Sequence, residues 1–333
     1  MKTRTPSREN FHLPVSGAVF DKKEALKART HVVNSITELI GNTPVVRLQR
    51  LARTNAAEVL VKLESFNPSG SVKDRAAYNM IRRAEEKGLL RPGSTIIEPT
   101  SGNTGIGIAM NAAARGYSAI IVMTDNMTPE RISILKAYGA QVVLTPVAEG
   151  MKGAIARAVK LREEIPGSLM LQQFENSANP DCHRTTTALE IVEQTEGRLD
   201  AFVACSGTGG TITGTGETLR KLIPGISIYV VEPKGSPVLS GGKAGPNKLV
   251  GTGPGFIPKV LNTKVYDEIV QVSDDDALGV MRELARREGL LVGPSSGAAV
   301  WAGLKVADRL GPGKRVLCMA PDTGERYLSM DVF

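Results

Sequence analysis

The stretch EVLVKLESFNPSGSVKDRAAYNMIRRAEEKG, residues 58–88, contains the pattern on which the fold of this chain is built. An apolar run comes first, a loop with Pro68 and Gly70 follows, and the remainder has the amphipathic spacing of a helix. A strand, a loop and a helix in this order form part of a βαβ unit. The loop leaves Lys73 in the first helical turn, where the helix dipole is positive and a cation is unfavourable.

The position of Lys73 calls for a chemical explanation. Because the positive end of a helix disfavours an ammonium group, we expect the pKa of Lys73 to be lowered. A neutral amine is a nucleophile. The alternative is that Lys73 points into solvent, as most lysines do.

The same alternation continues along the chain. Further predicted strands are STIIEP (94–99), SAIIVM (118–123), QVVLTP (141–146), LMLQQF (169–174), AFVACSG (201–207), SIYVVEP (227–233), EIVQV (268–272) and RVLCMAP (315–321). Strands that alternate with helical segments are typical of parallel sheets. We therefore predict an α/β fold with two lobes, each a three-layer αβα arrangement with a parallel-rich twisted sheet. The Gly- and Pro-rich segment 235–258 is predicted to be a long functional loop.

The composition excludes several classes of function. The chain has 333 residues, of which 41% are hydrophobic and 23% charged, as expected for a globular protein of more than one lobe. Its net charge is +7, but basic and acidic residues are interleaved and aromatic residues make up only 4%, so nucleic-acid binding is not expected. The sequence has no apolar run of about 18 residues, so we expect no membrane span.

Cysteine and histidine usage indicates neither disulfides nor a metal site. Cys182, Cys205 and Cys318 form no CxxC pair and are odd in number, which favours a reducing cytoplasm. The three histidines are scattered and give no ligand spacing. Residues 1–34 contain acidic side chains and no signal-peptide apolar run, so we expect an N-terminal extension there.

Two other loops follow predicted strands and open predicted helices. EPTSGNTG, residues 98–105, gathers hydroxyl, amide and backbone donors that suit a carboxylate, with ordinary helix capping as the alternative. SGTGGTITGTG, residues 206–216, has glycines that let backbone N–H groups surround a phosphate. It is no dinucleotide fingerprint, because Ile212 stands where G-x-G-x-x-G needs its last glycine.

A fourth loop, GPSSG at residues 293–297, fits the serine hydrolase pattern G-x-S-x-G. An α/β-hydrolase needs its histidine after the serine, whereas all three histidines here precede it. An amine, a carboxylate nest, a phosphate cup and a serine at a helix start are together what pyridoxal 5'-phosphate requires. Lys73 would bind the cofactor covalently, and the glycine loop would hold its phosphate.

The chain also resembles the fold-type II, or tryptophan synthase β-like, pyridoxal phosphate enzymes. Within that family it is most similar to the cysteine synthases, also called O-acetylserine sulfhydrylases. The resemblance rests on motifs that run in family order from about Ile40 onwards. They are IGNTPVVRL, NPSGSVKDR, TSGNTGIG, QQFENSANP, GTGGTITG, GFIP, GPSSGAA and GERYLS. Jointly these motifs are highly specific.

The resemblance implies a role for each matching residue. Lys73 would bind the cofactor and shuttle the Cα proton, while Asn103 would contact the cofactor's 3-hydroxyl group. Ser295 would contact the pyridine nitrogen, where a neutral hydroxyl favours β-elimination and replacement. Substrate binding would involve Thr100, Ser101, Asn103, Thr104 and Gln173, and the phosphate would be held by Gly207, Thr208, Gly209, Gly210 and Thr211.

The implied activity is a transferase or lyase reaction of cysteine biosynthesis. It would make L-cysteine from O-acetyl-L-serine and sulfide through an α-aminoacrylate intermediate. Cystathionine β-synthase and diaminopropionate-type enzymes are the alternatives, because GTGPGF and PDTGER depart from the usual pattern in loops expected near the acceptor entrance.

The family further implies a division into domains and a set of partners. Residues 35–66 plus 178–333 would form a large cofactor-binding domain, and residues 67–177 a small mobile domain that carries the substrate-carboxylate loop. Members are commonly homodimers. Some bind the C-terminal tail of serine acetyltransferase, which makes that tail a candidate partner.

Overall fold

The computed structural model describes residues 32–100 and 102–333. The expected N-terminal extension lies outside the described residues except for its last three, and Ser101 also lies outside them. Residues 35–333 form one compact unit. None of the helices in the described ranges is long and apolar enough to cross a membrane. Those ranges also contain no group of three or more side chains that could hold a metal ion.

In the described part of the chain, ten strands form two sheets. The strands are β1 (Val45–Arg47), β2 (Glu58–Leu63), β3 (Thr95–Pro99), β4 (Ser118–Thr124), β5 (Gln141–Thr145), β6 (Leu169–Met170), β7 (Ala201–Cys205), β8 (Ser227–Pro233), β9 (Glu268–Val272) and β10 (Arg315–Ala320). The larger sheet has the order β1-β2-β10-β7-β8-β9, and the smaller one has the order β5-β4-β3-β6. β1 is antiparallel to β2, and the other pairs are parallel.

The main helices fall between these strands, as the alternation predicts. They are α1 (Lys73–Glu86), α2 (Asn103–Arg115), α3 (Pro129–Ala137), α4 (Gly150–Glu164), α5 (Ala178–Cys182), α6 (Ala188–Thr195), α7 (Gly210–Leu222), α8 (Asp274–Glu288) and α9 (Pro294–Leu310). A π-helical turn, His183–Thr187, joins α5 to α6, and a 3₁₀ helix, Gly324–Met330, follows β10. The long loop predicted at residues 235–258 lies within the connection between β8 and β9.

Both faces of each sheet are buried, which explains the nearly continuous apolar runs of the strands. In β2, Val59 and Val61 belong to one apolar cluster and Leu60 belongs to another. The smaller sheet repeats this arrangement, since Ile96 and Ile97 of β3 pack into different clusters. Side chains of a strand alternate between faces, so each face packs against its own layer of helices.

The segment LMLQQF ends as a strand earlier than predicted, at Met170. The next three backbone N–H groups, of Leu171, Gln172 and Gln173, donate to the carboxylate of Glu98 at 3.1, 2.9 and 3.0 Å. Burial raises the pKa of Glu98 to about 7, although these three donors act in the opposite direction. Glu98 therefore replaces a neighbouring strand as the hydrogen-bond partner of this loop.

Helix α9, which begins with the GPSSG motif, packs closely on α8 through Gly297. A Cβ atom at Gly297 would collide with the carbonyl oxygen of Ala277 and lie 2.8 Å from the Cβ of Met281. A Cβ at Gly279, within α8, would meet no atom within 4 Å. Only the first of these two helical glycines is required by packing.

We expect Gly297→Ala to lower the free energy of unfolding by roughly 1–3 kcal/mol, because an added methyl group overpacks the contact between the helices. The matched substitution Gly279→Ala should raise it by about 0.5–1 kcal/mol, because alanine has a higher helix propensity than glycine and its methyl group would meet no atom there. Urea denaturation of both variants measures the difference. Equal effects at the two positions would contradict the packing argument.

We expect Glu98→Gln to loosen residues 171–173, because a carboxamide has one acceptor oxygen and its NH₂ group would face backbone donors. Losing one such hydrogen bond should speed amide hydrogen exchange at these residues by roughly 5- to 30-fold. Glu149→Gln removes an exposed carboxylate and serves as the control. Unchanged exchange in Glu98→Gln would show that the carboxylate does not hold the loop.

The raised pKa of Glu98 also gives a pH dependence with a definite sign. Because the pKa rises from 4.5 to about 7 on folding, the folded state binds more protons than the unfolded state between these values. The free energy of unfolding should therefore decrease as the pH rises from 4.5 to about 7, and Glu98→Gln should lack this contribution. Denaturant titrations across this pH range measure the difference in slope.

Candidate active site

Two adjoining cavities lie where several parallel strands end. The outer cavity has a volume of about 180 Å³ and the inner one of about 40 Å³. Both are bordered by Lys73, Asn103, Gly207 and Thr208. These residues come from loops that follow the carboxyl ends of β2, β3 and β7, the usual place for ligands in such sheets.

Lys73 is the first residue of α1, as the sequence predicts, and its backbone N–H donates to the hydroxyl of Ser71 at 3.2 Å. Its side chain is partly exposed because it borders both cavities. Loss of water around the amine lowers the pKa of Lys73, and the carboxylate of Asp322 acts in the opposite direction. Desolvation is thus the main cause of a shift that helix position alone led us to expect.

A second lysine, Lys62, provides a contrast. It is fully buried, and its Nζ donates to the carbonyl of Thr43 at 3.0 Å and to Oε1 of Gln194 at 2.9 Å. Its third partner is Glu190, at 2.8 Å. All three hydrogens of the ammonium group therefore have acceptors, and Lys62 borders neither of the two cavities.

The predicted carboxylate loop gathers at the outer cavity. Thr100, Asn103, Thr104 and Gln173 all line it, while the position of Ser101 lies outside the described residues. The hydroxyl of Thr104 donates to Oε1 of Gln173 at 2.6 Å, which joins α2 to the loop held by Glu98. The N-cap of α2 is Gly102, which has no side chain to cap the helix. The first backbone N–H groups of α2 are thus available to an anion.

The glycine loop forms a cup at the inner cavity. Gly207, Thr208, Gly209 and Thr211 line this cavity, whereas Gly210 begins α7 and packs against Asn179. Gly209 has a φ of +84°, a backbone conformation that favours glycine. A Cβ atom at Gly207 would collide with the carbonyl oxygen of Gly251, so only glycine fits at this position.

His183 supports this cup from behind. Its Nε2 lies 3.2 Å from the hydroxyl of Thr211, and its Nδ1 lies 2.8 Å from the hydroxyl of Thr187. Burial lowers the pKa of His183 to about 3, so the ring is neutral. No role of His183 was predicted from the sequence, because the contact with Thr211 depends on the packing of α7 against the π-helical turn.

Ser295, the second residue of α9, is 5% exposed and borders the inner cavity. Asp322 borders the same cavity and is 1% exposed. The segment PDTGER, expected near the acceptor entrance, thus reaches the inner cavity through Pro321 and Asp322. A bridge pairs Asp322 with Ser71, which draws the segment after β10 towards the start of α1 and the inner cavity.

The other unusual segment, GTGPGF, does border the outer cavity. Thr252, Pro254 and Phe256 line it, together with Phe174. The rings of Phe174 and Phe256 meet edge to face with their centroids 5.1 Å apart. The long loop is therefore part of the site, although its sequence has no periodicity from which these contacts could be predicted.

Comparisons with known proteins agree with this geometry. The family described as "Pyridoxal-phosphate dependent enzyme" matches residues 36–322. A probable cysteine synthase of Bacillus subtilis (strain 168) is 64% identical over 305 residues, which cover 91% of this chain and 98% of that protein.

Solved structures extend the similarity to the fold. The crystal structure of an O-ureido-L-serine synthase has a TM-score of 0.89 and 46% identity, and covers 91% of this chain and 96% of that one. A cysteine synthase from Entamoeba histolytica has a TM-score of 0.87 and 40% identity, with coverages of 97% and 94%. The expected α/β class with parallel-rich sheets of the fold-type II enzymes is confirmed. The chain belongs to the family of pyridoxal-phosphate dependent enzymes, and pyridoxal phosphate is its cofactor.

Proposed function

We propose that this enzyme makes L-cysteine from O-acetyl-L-serine and sulfide by β-replacement. The observation that carries the proposal is the amine of Lys73, which borders both cavities with a lowered pKa between a carboxylate loop and a phosphate cup. The cysteine synthases among its relatives support the same reaction.

The residues of the two cavities fit pyridoxal phosphate. The bare backbone of Gly207 and Gly209 at the start of α7 suits a phosphate dianion, since helix N-termini bind anions. The proposed phosphate-binding set is Gly207, Thr208, Gly209, Gly210 and Thr211. Ser295 offers a neutral hydroxyl in the same cavity, and the pyridine nitrogen of the cofactor would need one such hydrogen-bond partner. Lys73 supplies the amine that such a cofactor requires.

When bound, pyridoxal phosphate supplies an electron sink for the charge that develops when a Cα proton is removed. Lys73 removes that proton as the general base, for which its amine has to be neutral. A positioned base of this kind accelerates a reaction by about 10²- to 10⁴-fold. The lowered pKa of Lys73 keeps more of the amine in the required form near neutral pH.

The remaining residues bind and orient the amino-acid substrate. We assign the substrate carboxylate to Thr100, Ser101, Thr104 and Gln173. Asn103, which borders the same cavity, is assigned to the 3-hydroxyl group of the cofactor. Hydroxyl groups and the start of α2 then hold one end of the substrate, so that its Cα faces Lys73. Phe174 and Phe256 pack edge to face in the lining of the outer cavity, and we assign them to the exclusion of water.

The lining of the outer cavity favours sulfide over a second amino acid as the acceptor. Among the described residues that border it, Lys73 is the only one with an ionisable side chain, and the reaction needs its amine in the neutral form. Homocysteine carries a carboxylate and an ammonium group, and each would lose water without gaining a charged partner. Sulfide is small and carries at most one charge near neutral pH.

Three further assignments complete the proposal and rest on the family resemblance. Residues 67–177, which contain the smaller sheet, form a small mobile domain, while residues 35–66 and 178–333 form the large one. The enzyme is a cytoplasmic homodimer. It binds the C-terminal tail of serine acetyltransferase. Sedimentation equilibrium and titration with a tail peptide test the last two assignments.

Borohydride reduction of the pyridoxal-phosphate-loaded protein should fix the cofactor to the peptide that contains Lys73. Lys62 serves as an internal control, because it is buried but its three hydrogens are already bound by acceptors. Peptide mapping by mass spectrometry distinguishes the two lysines. A label on Lys62, or no label, would contradict the assignment.

With O-acetylserine as donor, the kcat/KM for sulfide should be at least roughly 30-fold higher than that for homocysteine, because an unpaired buried charge costs about 2–5 kcal/mol. Initial rates with each acceptor measure this ratio. A faster reaction with homocysteine would favour cystathionine β-synthase activity instead.

Met151 provides a matched pair of variants, since it borders the outer cavity. Met151→Arg adds a partner for the carboxylate of homocysteine and should improve the rate with this acceptor relative to sulfide. Met151→Gln has a similar size and no charge, so it should leave the ratio near that of the wild type.

A further inference from the structure

The side-chain amide of Asn103 is held by two residues from the segment after β10. Its Nδ2 donates to Oδ2 of Asp322 at 2.6 Å, and its Oδ1 accepts from a terminal nitrogen of Arg326 at 2.7 Å. Asp322 and Arg326 are 1% and 4% exposed, so both contacts are shielded from water. Asn103 itself borders both cavities.

These two partners impose opposite demands, and together they fix which way the amide points. A carboxylate only accepts hydrogen bonds and a guanidinium only donates them. Turning the amide by 180° would bring Oδ1 against the carboxylate and Nδ2 against the guanidinium, and both hydrogen bonds would be lost. Because Nδ2 carries two hydrogens and Asp322 takes one, the other remains available to a ligand.

The carboxylate of Asp322 is itself fixed in place. The hydroxyl of Tyr327 also donates to its Oδ2. A Cβ atom at Gly293, the first residue of GPSSG, would collide with its Oδ1, so this glycine leaves room for the carboxylate. Oδ1 has no hydrogen-bond partner among the described residues. An unpaired buried oxygen is unusual, because buried polar atoms normally have a hydrogen-bond partner. The position of this carboxylate therefore calls for a functional explanation.

We propose that Asp322 is a positioning residue of the active site, which together with Arg326 holds the Asn103 amide so that it offers the cofactor an N–H donor rather than a carbonyl oxygen. The inference rests on the proposed function, in which Asn103 contacts the 3-hydroxyl oxygen of pyridoxal phosphate. In its ionised form that oxygen is an acceptor and needs the donor side of the amide. The competing explanation is that Asp322 only anchors the 3₁₀ helix Gly324–Met330.

The absorption spectrum of bound pyridoxal phosphate tests the proposal without reference to turnover, because it responds to a hydrogen bond at the 3-oxygen. Asp322→Leu keeps the approximate shape and removes the acceptor, so it should shift the absorption maximum in the same direction as Asn103→Ala. The Asp322→Asn side chain can still accept a hydrogen bond from Asn103, so this variant should keep the wild-type absorption maximum. Asp322→Leu should cause no further shift in the Asn103→Ala background.

Tyr327→Phe is the matched control, because it removes the other donor to the same carboxylate oxygen. It should lower the melting temperature, as Asp322→Leu does, but leave the absorption maximum unchanged. If Asp322→Leu does not fold, Arg326→Met decides the question, since it releases the opposite side of the amide and should cause the same spectral shift.

Each outcome separates the inference from the proposed function. A wild-type absorption maximum in folded Asp322→Leu or Arg326→Met, or an equal shift in Tyr327→Phe, would reduce Asp322 to a structural anchor. If the wild-type protein itself gives no spectrum of bound pyridoxal phosphate, the proposed function fails first. A shift in Asp322→Leu that Asp322→Asn reverses supports the positioning role.

Discussion

The site depends on the removal of water from the amine of Lys73. An ammonium group in a poorly solvated environment loses hydration that the protein has to replace, or else it gives up its proton. For Lys62 burial also lowers the pKa, although its ammonium group has three acceptors, in Thr43, Gln194 and Glu190. For Lys73 desolvation is the largest influence and lowers the pKa. Burial thus lowers the pKa of both lysines, but of the two only Lys73 borders the cavities, where its amine can meet a ligand.

A buried ion network keeps Lys73 at this position. Arg75, two residues further along α1, pairs with Glu64 at 2.7 Å and also with Glu190. Glu64 in turn accepts from Asn67 of the preceding loop at 2.8 Å. Removing one partner of a buried pair costs about 3–5 kcal/mol, because the other charge stays buried without compensation. The turn before Lys73 and the first turn of α1 are therefore held as one rigid piece.

The other parts of the site are each held by a carboxylate from a different strand end. Glu98, in β3, binds the backbone of residues 171–173 and so places Gln173 beside Thr104. Asp322, after β10, binds Asn103 at the start of α2. Parallel strands bring these ends to one edge of their sheets, where each carboxylate can reach a loop that is distant in sequence. These carboxylates thus order the polar loops around the cavities, although the loops themselves form few regular backbone hydrogen bonds.

Local sequence patterns were enough to predict the α/β alternation, the loops that open helices, and the place of Lys73 in a first helical turn. It did not reveal that LMLQQF leaves its sheet after Met170, since the competing acceptor is Glu98, 73 residues away from Leu171. Nor did it reveal the pairing of Asn103 with Asp322, 219 residues apart. Which polar groups lose water, and which partners replace that water, follows from long-range packing, because burial depends on contacts that no local spacing encodes.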